Sequence, residues 1–167
     1  MGPLLVGVDA NNASDNFNRE KGEDSMIKKI DHIGIVVGKL DEAINMYKRA
    51  YGLKPIKIET IEEAHLKIAF IPLGDVLIEL LQPTEPGAGR IGKFLEEKGE
   101  GLHHIALRVG DIDHTMEKLK ESMVFRDKEP RVGADKSRIA FIEPEFTQNV
   151  LTELVERKQE VSEEASG

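Results

Sequence analysis

The chain has 167 residues, 40% of them hydrophobic, which is enough for one domain with a buried core. Its net charge of −8, from 31 acidic against 23 basic side chains, argues against a general binder of nucleic acids or of anionic membranes. Cysteine is absent and no apolar run approaches the ~18 residues of a membrane span, so disulfides, thiolate metal sites and cysteine nucleophiles are excluded and a cytoplasmic protein is expected.

The two ends of the chain differ from the part between them. Residues 11–25 form a polar run without periodicity, and residues 1–8 lack the basic start and long apolar core of a secretory signal, so we expect a disordered extension or an added leader over residues 1–25. Residues 157–167 are charged and rich in small residues, which predicts a flexible tail. A single domain is therefore expected over residues 26–156.

The domain begins with a predicted βαβββ module over residues 27–82. Its first strand, over 29–37, alternates so that His32 lies on one face and the apolar Ile33 and Ile35 lie on the other. The apolar face should pack against a helix, which leaves His32 on the face turned away from that helix.

The predicted helix of this module runs over residues 42–50. Asp41 is its expected N-cap, and Gly52 is the expected residue after its last turn. Turn residues then separate three further predicted strands, at 54–59, at 65–72 and after Gly74-Asp75, the last of which carries Glu79.

A linker rich in Pro and Gly leads into a second module. The linker and a short helix occupy residues 83–98, and the second module follows over 99–156. Its predicted elements repeat the first order: a strand at 102–109, a helix at 113–122, a possible strand at 124–128, a loop at 130–136, and strands at 137–142 and 150–156.

The two modules match each other residue by residue. His32 aligns with His104, and Glu79 aligns with Glu153. The glutamate follows its histidine at a nearly equal distance along the chain in the two modules. Duplicated units of this kind should fold alike and pair about a pseudo-two-fold axis. We therefore predict an α+β fold in which two repeated βαβββ modules form a curved mixed sheet around a metal-binding cavity, with helices outside.

The paired His and Glu residues are the candidate site. A single strand histidine is more often a hydrogen-bonded core residue, and a single glutamate in an apolar strand is more often at an edge or in a salt bridge. Two of each at equivalent positions are harder to explain in this way, because two buried carboxylates need a compensating cation. Two imidazoles and two carboxylates suit a divalent ion such as Co²⁺, Mn²⁺, Ni²⁺, Zn²⁺ or Fe²⁺, with the predicted ligands His32, Glu79, His104 and Glu153.

The modules and their site resemble the vicinal oxygen chelate superfamily. Within it, residues 30–34, 74–83 and above all 94–106, with the doubled His103-His104, resemble the methylmalonyl-CoA epimerase family. The metal ligands of that family map onto the four residues above, with Gln at the Glu79 position in some members. His104, and not His103, takes the ligand position because it aligns with His32.

The resemblance implies an activity. Members of the family interconvert (2R)- and (2S)-methylmalonyl-CoA by abstracting the α-proton and passing through a metal-stabilised enolate. Inversion requires two acid/base groups, and Glu153 is the candidate for one of them. The second is open: relatives place a glutamate where this chain has Lys67, so Lys67, His65 or Glu63 would have to take its role. A homodimer is also implied.

Several alternatives remain at this stage. A glyoxalase I-type lactoylglutathione lyase uses the same ligand set, and a metal-free ligand-binding module uses the same scaffold. The segment 143–149 departs from the family pattern and leaves the acyl-CoA substrate open. Arg108 is a candidate contact for the substrate carboxylate because it shares the face of His104. Candidate contacts for the coenzyme A phosphates, each of which could equally be a solvated surface charge, are Arg90, Lys93, Arg131, Lys136 and Arg138.

Overall fold

The computed structural model describes residues 25–158. The predicted N-terminal extension and all but two residues of the predicted C-terminal tail lie outside the described residues. Within the described part of the chain, no helix has both the length and the apolar character needed to cross a membrane.

The first module has the predicted order of elements. Its boundaries differ from the predicted ones by up to three residues, because hydrogen bonding and packing decide where an element ends. Its elements are β1 (Ile27–Val36), α1 (Leu40–Tyr51), β2 (Lys57–Ile61), β3 (Leu66–Leu73) and β4 (Val76–Pro83).

The second module repeats this order after a connecting helix. Its elements are β5, α3 and three strands, and the connecting helix is α2. The bounds are α2 (Gly89–Lys98), β5 (Gly101–Val109), α3 (Ile112–Leu119), β6 (Arg131–Val132), β7 (Arg138–Ile142) and β8 (Thr152–Glu156).

The strand predicted at 124–128 does not form. Phe125 makes only an isolated bridge with Ile142, and the short β6 lies instead in the segment predicted as a loop. The Asp127 carboxylate accepts a hydrogen bond from the backbone N–H of Phe141 at 2.9 Å. A side chain thus takes the donor that a regular strand partner would have used.

All strands belong to one mixed eight-stranded sheet in the order β2-β3-β4-β1-β5-β8-β7-β6. The last strand of each module pairs parallel with the first, as β4 with β1 and β8 with β5. The modules are joined where β1 and β5 pair antiparallel in the middle of the sheet. This arrangement confirms the predicted fold of two equivalent modules in a curved mixed sheet.

The helices α1 and α3 cover the outer face of the sheet. Ile44 and Tyr47 of α1 pack on the buried Ile71 and Leu80, and α3 makes an equivalent cluster around Ile112. The third helix differs, because Ile91, Phe94 and Leu95 of α2 pack with the inner-face residues Ile68 and Leu81. Helix α2 therefore closes one side of the space inside the sheet.

The starts of α1 and α3 are held by side chains from β4 and β8. Helix α1 begins at Leu40, so Asp41 lies in its first turn. The prediction that Asp41 is the N-cap is therefore wrong. The N–H of Leu40 donates to the Gln82 side chain, and the N–H of Ile112 donates to Glu156 at 2.7 Å. Gln82 lies three residues after Glu79, and Glu156 lies three residues after Glu153. Each helix is therefore anchored to the strand that carries the site glutamate of its module.

The two edges of the sheet meet through charged residues. A 3₁₀ turn at Ala134–Lys136, before β7, places Asp135 2.6 Å from the ammonium group of Lys57 on β2. The backbone N–H of Asp135 also donates to the Glu59 carboxylate at 3.2 Å. This contact bridges the first and second modules across the open side of the sheet.

Candidate metal and acid–base site

The four predicted site residues lie on four neighbouring strands in the middle of the sheet. Each is 3–5% exposed, and all four line one cavity of about 370 Å³ on the inner face. Strand alternation explains the placement, because β1, β4, β5 and β8 each turn one residue of the set inward at adjoining positions. The set is His32, Glu79, His104 and Glu153.

Their polar atoms converge on one point. The Nε2 atoms of His32 and His104 are 3.0 Å apart, and single ligand atoms of these two residues and of Glu153 all lie within 4.8 Å of one another. Oxygens of Glu153 lie 3.7 Å from His32 Nε2 and 3.4 Å from His104 Nε2. Glu79 is not part of this group of three, but its Oε2 lies 3.5 Å from His32 Nε2.

The donor set fits a divalent cation. Within the described residues, the buried Oε1 of Glu79 has no hydrogen-bond partner. A buried oxygen of this kind is costly unless another group satisfies it. Two buried carboxylates and two imidazole nitrogens that face one another favour a positive charge between them, and these are the ligand types that first-row divalent metals bind.

Asp31 orients His32 from behind. Its Oδ1 accepts a hydrogen bond from His32 Nδ1 at 2.7 Å, which leaves Nε2 of the imidazole toward the centre. Arg108 and Arg157 both pair with the Asp31 carboxylate, Arg157 at 2.8 Å. Although burial opposes ionisation, the hydrogen bonds from His32 and Arg157 hold the pKa of Asp31 well below its usual range.

Arg108 is therefore not placed for the substrate contact that the sequence suggested. Its guanidinium is engaged with Asp31, and Arg108 is not among the described residues that line the cavity. Strand alternation itself holds, because β5 is regular from His104 to Arg108, but the extra residue of β1 in this part of the β1–β5 pairing is Asp31, which takes the Arg108 guanidinium. Arg108 supports the site from outside the cavity instead of facing a substrate.

His104 is held by two neighbours. Its Nδ1 lies 2.8 Å from Nδ1 of His103, whose ring packs edge-on against Phe94. On its other side, His104 lies opposite Gly34 in the β1–β5 pair, and a Cβ at position 34 would come within 2.3 Å of the ring. The backbone of β1 thus leaves room for His104 only because residue 34 is glycine.

Burial and neighbouring charges shift the pKa values of the four side chains in different directions. Burial raises the pKa of Glu153 to about 7, and burial also raises the pKa of Glu79. Burial lowers the pKa of His104 well below its ordinary value. For His32 burial acts in the same sense, but the hydrogen bond to Asp31 and the two glutamates raise its pKa. Glu153 is consequently able to gain and lose a proton near neutral pH.

The three candidates for the second acid/base group are not equivalent. Lys67 pairs across the sheet with Gln82, whose side chain reaches α1, so Lys67 lies on the outer face. His65 precedes β3 in a left-handed conformation and is not among the described cavity residues. Glu63 borders the cavity and is the candidate that the geometry retains.

The basic candidates for phosphate contacts also differ in whether they border the cavity. Arg90 and Arg131 border the cavity. Arg138 is paired with Asp113 at 2.8 Å and with Glu156, close to α3. Lys93 and Lys136 are not among the described residues that line the cavity.

Three supporting residues escaped the sequence analysis: Asp31, Gly34 and Arg157. Arg157 was assigned to the flexible tail, yet its side chain is 15% exposed and lies 3.9 Å from Glu79 Oε1 and 3.6 Å from Asp135. Asp31 could have been identified from the repeat, because it precedes His32 as His103 precedes His104. No local pattern distinguishes Arg157 from the charged residues that follow it.

Comparisons with known proteins agree with this architecture. The model of the glyoxalase/bleomycin resistance protein/dioxygenase superfamily matches residues 31–141. An uncharacterised protein of Bacillus subtilis is 38% identical over 79% of this chain and 94% of its own length. The methylmalonyl-CoA epimerase of Dictyostelium discoideum is 32% identical over 78% of this chain and 80% of its own length.

Among solved structures, a variant of Streptomyces coelicolor methylmalonyl-CoA epimerase in complex with 2-nitronate-propionyl-CoA superposes with a TM-score of 0.73. It is 34% identical, and the alignment covers 78% of this chain and 97% of that one. The segment matched by the superfamily model, residues 31–141, contains both histidines of the site and Glu79. The chain belongs to the glyoxalase/bleomycin resistance protein/dioxygenase superfamily, and its relatives there include methylmalonyl-CoA epimerases.

Proposed function

We propose that this protein is a metal-dependent epimerase that interconverts (2R)- and (2S)-methylmalonyl-CoA. The convergence of two imidazoles and two buried carboxylates in one cavity is the observation that carries the proposal. Relatives at about one-third identity that are methylmalonyl-CoA epimerases support the choice of reaction. A homodimer, which the resemblance implies, and a cytoplasmic location, which the composition favours, are further predictions.

In this proposal His32, Glu79, His104 and Glu153 hold the metal. The ion, one of Co²⁺, Mn²⁺, Ni²⁺, Zn²⁺ or Fe²⁺, supplies Lewis-acid stabilisation for the negative charge that develops when the α-proton leaves. The protein's part is to fix the four ligand side chains, and the Asp31 contact to His32 does so without occupying the Nε2 atom.

Glu153 is the proposed acid/base group on one face of the α-carbon. A carboxylate beside the α-carbon can accept the α-proton on one half of the reaction and return it on the other. Glu63, at the border of the cavity, is the proposed partner on the opposite face. Since inversion needs proton traffic on both faces, each of the two residues handles the proton of one stereoisomer.

The walls of the cavity support this chemistry. Leu66, Ile68 and Ile139 line it with apolar surface that excludes water and strengthens electrostatic interactions inside. Arg90 and Arg131 border the same cavity and are the proposed contacts for the phosphates of coenzyme A.

The test is a pair of assays on one metal-loaded preparation. In D₂O, NMR should show the α-hydrogen of methylmalonyl-CoA being replaced by deuterium, and this exchange should stop after chelation and resume when Co²⁺ is returned. The same protein should not convert the hemithioacetal of methylglyoxal and glutathione.

The reverse pattern, hemithioacetal turnover without exchange, would assign the chain to the lactoylglutathione lyases. Absence of both reactions from protein shown to contain metal would favour a ligand-binding role and overturn the proposal. Glu153→Gln is the matched control, because it preserves the shape of the side chain and removes the proton-transferring group.

A further inference from the structure

The residue before each site histidine contacts that histidine at Nδ1. Asp31 Oδ1 lies 2.7 Å from Nδ1 of His32, and His103 Nδ1 lies 2.8 Å from Nδ1 of His104. Asp31 and His103 occupy the same position in the two repeats. Two chemically different side chains therefore make equivalent contacts with the two imidazoles of the site.

The two contacts differ in charge. Asp31 is an anion held by Arg108 and Arg157, and as a carboxylate it only accepts a hydrogen bond, so His32 donates from Nδ1. His103 instead offers an imidazole nitrogen at the equivalent place, 2.8 Å from Nδ1 of His104. An uncharged imidazole has one nitrogen lone pair that can accept a hydrogen bond.

We propose that His103 is a positioning residue whose Nδ1 accepts the Nδ1–H of His104, so that Nε2 of His104 is left unprotonated and directed at the metal centre. The inference deepens the proposed function and rests on the metal site assigned there. His103 itself then carries its proton on Nε2, on the side of the ring away from His104.

The geometry around His104 favours one role for this contact. His104 Nε2 faces His32 and Glu153, at 3.0 and 3.4 Å, and is the atom available to a metal. A proton on that atom would block coordination, and the hydrogen bond at the opposite nitrogen is what decides the tautomer of a neutral imidazole. Phe94, at 4.9 Å between ring centroids, keeps the His103 ring in the plane needed to accept.

Three variants separate this role from simple packing. Asn has its side-chain oxygen at the position of Nδ1, so His103→Asn keeps an acceptor for His104 Nδ1–H. Gln extends its amide by one methylene, so His103→Gln keeps polarity and size but moves the acceptor. His103→Ala removes the acceptor altogether.

The first measurement reports the tautomer of His104 directly. Two-bond ¹H–¹⁵N NMR spectra of the full chain after chelator treatment should show His104 as the Nδ1–H form in the unsubstituted protein and in His103→Asn. In His103→Ala and His103→Gln the Nε2–H form should become visible. A His104 protonated at Nε2 in the unsubstituted protein would overturn the inference, whatever the metal binding.

The second measurement is Co²⁺ affinity by competition with a chelator. His103→Ala should bind Co²⁺ about 10–100-fold more weakly, as is typical when the partner of a ligating histidine is lost, and His103→Asn should recover most of that loss. Equal Co²⁺ affinity in all variants, with a loss of turnover only, would mean that His103 contacts the substrate instead. Failure of the unsubstituted chain to bind Co²⁺ would count against the proposed function, while the tautomer spectra would still decide the role of His103.

Discussion

Glu79 and Glu153 occupy equivalent positions in the two repeats, yet their surroundings differ. Glu153 lies within reach of both histidines, whereas Glu79 approaches only His32 and leaves one oxygen without a partner. The equivalence was predictable from the repeat, but the difference was not, because it arises from neighbours on other strands. Arg157, near Glu79, is one such neighbour.

Replacing each of these glutamates with glutamine should give unequal losses of activity. Gln keeps an oxygen that can bind a metal but cannot exchange a proton, so Glu153→Gln should lower kcat about 10²–10⁴-fold and Glu79→Gln far less. The measurement is steady-state epimerisation with the metal content of each variant verified. Equal losses in the two metal-saturated variants would remove the acid/base role from Glu153.

Gly34 should tolerate no side chain. An added Cβ would come within 2.3 Å of the His104 ring, so Gly34→Ala should displace that ring and weaken Co²⁺ binding by at least about tenfold. Gly38→Ala is the control, two residues after the end of the same strand, where the nearest atom is a carboxylate oxygen at the far end of the Glu100 side chain, at 3.3 Å. Unchanged Co²⁺ affinity in Gly34→Ala would show that the ring has another place to go.

The buried Glu153 makes the stability of the metal-free protein depend on pH. Its pKa rises from 4.5 to about 7 on folding, so the folded state holds this proton more tightly than the unfolded state does. That contribution is complete below about pH 4.5 and is lost as the pH rises through about 7. Relative to Glu153→Gln, the metal-free protein should therefore lose on the order of 3 kcal/mol of unfolding free energy across this range.

Urea denaturation of both proteins at pH 5 and pH 8, in the presence of a chelator, measures this difference. A parallel pH dependence of the two unfolding free energies would mean that the pKa of Glu153 is the same in the folded and the unfolded protein.

At the scale of elements, the sequence was informative wherever a pattern repeats. Alternation in β1 placed His32 opposite Ile33 and Ile35, which pack with α1, and the same repeat placed β5 and β8. The pattern failed where tertiary contacts replace local ones, as at 124–128, where the Asp127 side chain substitutes for a strand partner. For Arg108 the alternation holds, but the pattern could not show that its guanidinium would pair with Asp31 on the neighbouring strand.

Arg157, the residue after β8, contributes to the stability of the fold. Arg157→Met removes one of two arginines from the buried Asp31, and should lower the unfolding free energy by less than the ~3–5 kcal/mol typical of a broken buried pair, since Arg108 remains. Arg138→Met is the matched control, because its partner Asp113 is exposed, its contact with Glu156 is long at 3.4 Å, and exposed pairs contribute little to stability. Denaturant unfolding of both variants gives the comparison, and equal losses would show that Arg157 is only a surface charge.

At the scale of the whole molecule, the site exists because the two modules meet. His32 and Glu79 come from the first, His104 and Glu153 from the second, and the β1–β5 pairing holds the halves at a fixed distance. A metal bound there links both modules and binds the folded chain only. Co²⁺ at about 100 times its Kd should therefore raise the unfolding free energy by about 2.7 kcal/mol.

Thermal melting with and without Co²⁺ measures this effect, and His104→Ala is the control that should show no stabilisation. A melting temperature that does not respond to Co²⁺ in the unsubstituted chain would place any bound metal outside the junction of the modules.

The most direct test of the account follows α-deuterium exchange while Co²⁺ is added to the chelator-treated protein. Exchange of the methylmalonyl-CoA α-hydrogen should be absent at the start, rise in proportion to bound Co²⁺, and reach its plateau at one ion per chain. Exchange at full rate in the metal-free protein, or a plateau unrelated to occupancy of one site per chain, would contradict the claim that the two modules form one catalytic metal centre.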